Sequence, residues 1–61
     1  MMSELEIAKH NLKIASEDLR VTNALYLRGL AKPSELLAAR NEYERCLSEY
    51  ERVQRADGRQ Q

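Results

Sequence analysis

Cys46 and His10 are the two side chains best suited to nucleophilic or acid–base work, and each residue type occurs once in the chain. A cysteine attacks as its thiolate, so a nucleophilic role requires a lowered pKa and a base close by. Arg45 is the one cation beside Cys46 in sequence, and because consecutive helical residues diverge, its side chain is expected to point outward. Cys46 is therefore read as a small buried residue of a helix seam, with an intermolecular disulfide in a dimer as the alternative. His10 falls on a polar helix side between Lys9 and Asn11, with Glu6 one turn earlier as its expected partner. No second group completes an acid–base pair, so it is read as a surface histidine.

The other reactive groups point the same way. Tyr43 and Tyr50 fall on an apolar seam and Tyr26 continues a leucine rim, so the three are read as packing residues with hydroxyls at the solvent edge. Tyr26 could instead join a partner-facing patch near a turn. The acids are interspersed with bases along the chain, and the Glu-x-x-His pair that holds paired metal ions in helical bundles does not occur. One cysteine and one histidine cannot build a four-ligand zinc site. The only glycines are Gly29 and Gly58, which excludes a glycine-rich phosphate loop. The expectation is no catalytic residue, no metal and no cofactor.

Sixty-one residues make at most one domain, and a chain of this length buries only about 60% of its unfolded surface. With no internal disulfide or metal to staple it, self-association or a larger partner is the remaining source of stability. Ten basic residues balance ten acidic ones, which removes the long-range field a nucleic-acid or anionic-membrane binder would carry, so neither partner is expected. The opening Met1-Met2-Ser3-Glu4 has an acid where a signal peptide has bases, and no stretch approaches the ~20 apolar residues of a membrane span. A cytoplasmic chain is expected.

The elements that must position these residues are helices. Leu5-Glu6-Ile7-Ala8, Leu12-Lys13-Ile14-Ala15 and Leu19-Arg20-Val21-Thr22 form a seven-residue repeat of leucine, charge, β-branched and small residue. The small residues Ala8, Ala15 and Thr22 run near the middle of an apolar stripe spanning roughly 160°. Leu5, Leu12, Leu19 and Tyr26 make one rim, and Ile7, Ile14 and Val21 the other. One antiparallel neighbour covers about half of such a stripe, which suits a helix gripped by two neighbours.

Gly29 supplies a left-handed stop, with Arg28 in the last turn and Pro33 following. Leu30 is then placed to close a Schellman motif against Leu25. Ser34 with Glu35 behind it makes a start for the second helix; alternatively Pro33 is its first residue and Glu35 its third. Leu36, Ala39, Tyr43, Cys46, Tyr50 and Val53 recur at steps of three and four, widened by Leu47. Arg40 with Glu44, Arg45 with Glu49, and Glu51 with Arg55 are expected to pair along the outer face. The boundaries read helix 3–28, turn 29–33, helix 34–56 and a frayed tail 57–61, because the tail carries no apolar residue. The fold class is all-α, an antiparallel coiled-coil-like helical hairpin dimerising into a four-helix bundle.

Tyr26-Leu27-Arg28-Gly29-Leu30, then Glu35-Leu36-Leu37-Ala38-Ala39-Arg40, Tyr43 and Leu47, resemble the periplasmic hairpin tip of TolC-like outer-membrane efflux channels. In that family an aromatic three residues before the glycine ends one helix. An acid six residues after the glycine and an Ala-Arg pair begin the return helix, here Glu35 and Ala39-Arg40. This resemblance implies docking onto the hairpin of a periplasmic adaptor. In size and two-helix form the chain is also similar to small type III secretion co-chaperones and to Rop-like bundles, although neutral charge and the lack of phenylalanine argue against RNA. Sporulation-phosphorelay phosphatases carry Ser-Gln-Glu-Leu-Asp on their second helix; this chain has Arg40-Asn41-Glu42-Tyr43-Glu44 and keeps only the central glutamate. The functional expectation is a non-enzymatic protein-interaction module, a scaffold, adaptor or small chaperone. Its partner is a second copy, another helical protein or both, and Leu12, Leu19 and Tyr43 lead the interface.

Overall fold

Helix starts and stops are the most strongly specified parts of this chain. In a computed structural model describing residues 2–59, α1 spans Glu4–Leu27 and α2 spans Pro33–Arg59, antiparallel to each other. Ser3 is the N-cap of α1: its hydroxyl accepts the Glu6 backbone N–H at 3.2 Å and donates to the Glu6 carboxylate at 3.4 Å. The helix thus begins one residue later than expected, and Ser3-Glu4-Leu5-Glu6 is the Ser-x-x-Glu signature of that start.

The turn is a Schellman motif. Gly29 adopts φ +77°, its N–H donates to the Tyr26 carbonyl at 3.0 Å, and the Leu30 N–H donates to the Leu25 carbonyl at 2.8 Å. Arg28 is the C-cap, so α1 ends one residue before the expected position. The expected hydrophobic closure contributes little, because the Leu30 side chain is 69% exposed and the backbone bonds hold the turn. Ala31, a turn residue with no packing role expected from sequence, is half-buried.

Of the two starts open for α2, the structure takes the proline. Pro33 is the first helical residue and Glu35 the third, and the Glu35 carboxylate accepts the Lys32 N–H at 3.3 Å. Ser34, expected as a turn and cap residue, lies inside the first helical turn instead. Proline loses nothing there, since its missing N–H would have no intrahelical partner. At the other end α2 runs through residues 57–59, part of the expected frayed tail, while residues 60–61 lie outside the described residues. A polar composition does not itself end a helix; Gly58 costs about 1 kcal/mol relative to alanine, and no capping motif precedes it.

The two helices make a layer 48 × 19 × 12 Å. Its seam is built from small residues: Ala8 and Ala15 of α1 and Ala39, Cys46 and Val53 of α2 are buried. Ala8 lies with Val53 and Ala15 with Cys46, which sets the register. Leu5, Leu12, Leu19, Thr22, Leu36, Tyr43, Leu47 and Tyr50 flank the seam half-buried. Tyr26 departs from the expected rim and is 38% exposed, because the chain opens there into the turn and only Pro33, Leu36, Leu37 and Arg40 lie alongside.

Gly29→Ala tests the turn. An added Cβ would meet no atom within 4 Å, so the cost is that of the left-handed backbone alone, about 1–2 kcal/mol. Urea unfolding followed by circular dichroism should show that loss, with Gly29→Asn losing less; an unchanged midpoint would mean the turn does not depend on this conformation.

Candidate functional site

The seam divides the layer into two faces of different chemistry. On one, Leu19, Leu36 and Tyr43 line a shallow groove together with Arg20, Arg40 and Asn23. Leu5 and Leu12 precede Leu19 at seven-residue steps, and Leu47 and Tyr50 follow Tyr43 by four and seven, so all belong to this leucine face. On the other face, Ile7 and Ile14 line clefts with Asn11, Asp18, Glu42 and Glu49. Ile7, Ile14 and Val21 remain 47%, 54% and 48% exposed. The broad stripe of α1 is therefore split: its leucine and alanine half packs against α2, and its β-branched half faces outward. At the tip, Leu27 and Leu30 project freely, and Gly29 and Pro33 shape the turn without burying apolar area.

Charged pairs sit on the polar edge of α2. Arg45 binds Glu42 and Arg52 binds Glu49, each with a guanidinium nitrogen 2.5 Å from a carboxylate oxygen and a second bond at 3.2 or 3.3 Å. These replace the expected Arg40–Glu44, Arg45–Glu49 and Glu51–Arg55 pairs, none of which forms among the described residues. Acid before base along a helix is the favoured order, and the observed pairs both have it. Hydrogen bonds from the guanidinium groups hold the Glu42 and Glu49 carboxyls below the ordinary carboxylate range.

Cys46 is 5% exposed and its thiol donates to the Glu42 carboxylate, Sγ to Oε1 3.7 Å. Arg45 points outward as expected, its side chain 69% exposed, while its pairing with Glu42 leaves a guanidinium nitrogen 4.0 Å from Sγ. Burial, reinforced by the Glu42 charge and opposed by Arg45, pushes the thiol pKa up, opposite to the shift an attacking thiolate needs. His10 is exposed, and its expected partner Glu6 is engaged by Ser3. Among the described residues no three His, Cys, Asp or Glu side chains gather as a metal site, and no helix is long and apolar enough to cross a membrane.

The arrangement brings together the seam and leucine-face residues anticipated from sequence, Leu12, Leu19 and Tyr43 among them. Sequence periodicity did not reveal that this face carries its own groove, lined by Arg20 and Arg40. The signal was present in the spacing, since Arg40 follows Leu36 by four residues. No family model, curated protein or solved structure matches the chain.

Two measurements follow. Alkylation of Cys46 by iodoacetamide at mildly alkaline pH should run at least about tenfold slower in the folded protein than in urea, given the buried and protonated thiol; equal rates would place the thiol in solvent. The lowered Glu42 and Glu49 pKa values mean their pairs contribute above the ordinary carboxylate pKa, and that contribution disappears as pH falls through the depressed values. Helicity monitored by circular dichroism should decline modestly only below that ordinary range, and Glu42→Gln with Glu49→Gln should flatten the decline.

Proposed function

We propose that the chain is a self-associating helical hairpin that acts by binding other helices, as a scaffold, adaptor or small chaperone, and catalyses no reaction. One observation carries this reading: no buried side chain among the described residues is larger than Val53. Every leucine and tyrosine of the repeat stays at least partly open. The layer is 48 × 19 Å across, so a second hairpin of the same dimensions can lie along its whole length. A second hairpin laid on the leucine face completes a four-helix bundle.

The exposed Ile7, Ile14 and Val21 ridge lies on the opposite face and favours an additional helical partner, which is where an adaptor or chaperone role would reside. The projecting Leu27 and Leu30 favour a runner-up reading in which the tip docks onto another hairpin, as the efflux-channel resemblance implies. A pull-down in which tip substitutions, and not face substitutions, abolish capture would select it. The first reading places the protein in the cytoplasm.

Sedimentation equilibrium over a wide concentration range should show a dimer, and a stable helical monomer at micromolar concentration would sink the proposal. Leu19→Ala tests the face itself. Covered by a second copy, its loss should cost about 2–5 kcal/mol. A cost below about half a kilocalorie, on the scale of an ordinary surface substitution, would show that the repeat faces water.

A further inference from the structure

We infer that the second copy packs on the leucine face with its turn at the same end, so that α1 of each hairpin lies over α2 of the other. This rests on the self-association proposed above and adds its geometry. The two outer edges of the leucine face carry the same spacing and different charge. Lys9, Lys13, Ser16 and Arg20 fall at steps of four, three and four along α1, and Ser16 and Arg20 line the groove. Arg40, Glu44, Leu47 and Glu51 repeat those steps along α2, and Arg40 lines the same groove. Residues at such steps share one edge of a helix. Along these steps the charged residues are all basic on α1, and on α2 they are two acids with one arginine at the tip end; Glu6 and Glu17 border the α1 edge and Arg55 the α2 edge.

A two-fold axis in the plane of that face has two simple orientations. With the axis across the rod, turns lie at opposite ends and α1 covers α1, which sets three cations against three cations, with acids only at the bordering positions Glu6 and Glu17. With the axis along the rod, turns lie together and each basic α1 edge meets an α2 edge bearing Glu44 and Glu51. The register places Ala8 beside Val53 and Ala15 beside Cys46, so Lys9 is level with Glu51 and Arg20 with Arg40. Lys9 faces the other copy's Glu51, and Lys13 lies between its two acids. Arg20 faces Arg40, the one unfavourable juxtaposition, tempered by Glu44 one turn away. None of the six charged residues of these edges has an ion-pair partner within its own chain among the described residues. Apolar matching agrees, since Leu19 comes level with Tyr43 and Leu12 with Tyr50 of the other copy.

Charge exchange tests the pairing by sedimentation equilibrium at low ionic strength. Lys9→Glu and Glu51→Lys should each weaken dimerisation about tenfold, two symmetry-related contacts being reversed at once, and the double variant should restore it. Arg40→Gln should tighten the dimer. Lys9 and Glu51 lie on opposite edges of one hairpin, so rescue reports a contact between copies, and circular dichroism checks that each variant keeps its helices. Spin labels at Leu30→Cys in a Cys46→Ala background then measure the tips: separations on the order of the ~10 Å spacing of packed helices to twice that support the inference. A separation near the rod's 48 Å length, or a dimer in which the double variant fails to recover, overturns this geometry and leaves self-association standing. A monomer at every concentration overturns both.

Discussion

Two helices touch along one line, and a side chain becomes buried only if it lies on that line and is small enough for the backbones to close over it. Ala8, Ala15, Ala39, Cys46 and Val53 meet both conditions. The leucines and tyrosines on either side meet only the first in part, because a single neighbour leaves their outer surfaces to water. Burial of apolar area is the dominant favourable term in folding, so a layer with so little of it enclosed is weakly held by its own packing. Caps, ion pairs and the turn contribute increments that are each small. Any cover over the open faces would add the burial that the two helices alone do not supply.

The same constraint shapes the surroundings of the candidate reactive groups. A catalytic site needs a concavity that excludes water and holds two or three polar groups in fixed relation. A flat two-helix layer offers shallow grooves on either side of its seam. Cys46 lies in the seam itself, where burial raises its pKa, and its nearest polar groups, Glu42 and Arg45, are already satisfied by each other. The surface carries an apolar groove with two arginines on one face, a β-branched ridge beside acids on the other, and exposed leucines at the tip.

Capping chemistry does more here than hold the ends of helices. The Schellman turn and the Lys32–Glu35 cap fix where α1 stops and α2 starts. That in turn sets which residue of α1 stands level with which residue of α2. A shift by one residue would move an alanine out of the seam and a charged neighbour into it, so the register is enforced from the turn and from the seam at once. With the register settled, the charged edges acquire defined heights along the rod, which is what allows one orientation of a second copy to be distinguished from another.

Much of the form was legible in sequence. The seven-residue repeat, the Gly29 stop and the three-four spacing of α2 determined two helices, their antiparallel return and the residues of the seam, because periodicity and capping are local properties of the chain. The signature at Ser3 was equally local. Composition was a poor guide to the end of α2, since polarity does not terminate a helix. Tertiary structure alone decided which half of the broad α1 stripe α2 would cover, and so which apolar ridge is left open. The choice of Pro33 over Ser34 and the Arg45–Glu42 pair are decided within single helical turns, whereas the placement of the second helix left Tyr26 open beside the turn. The covered half of the stripe and the exposure of Tyr26 depend on where the second helix lies relative to the first, a relation between distant residues that no periodicity within one helix contains.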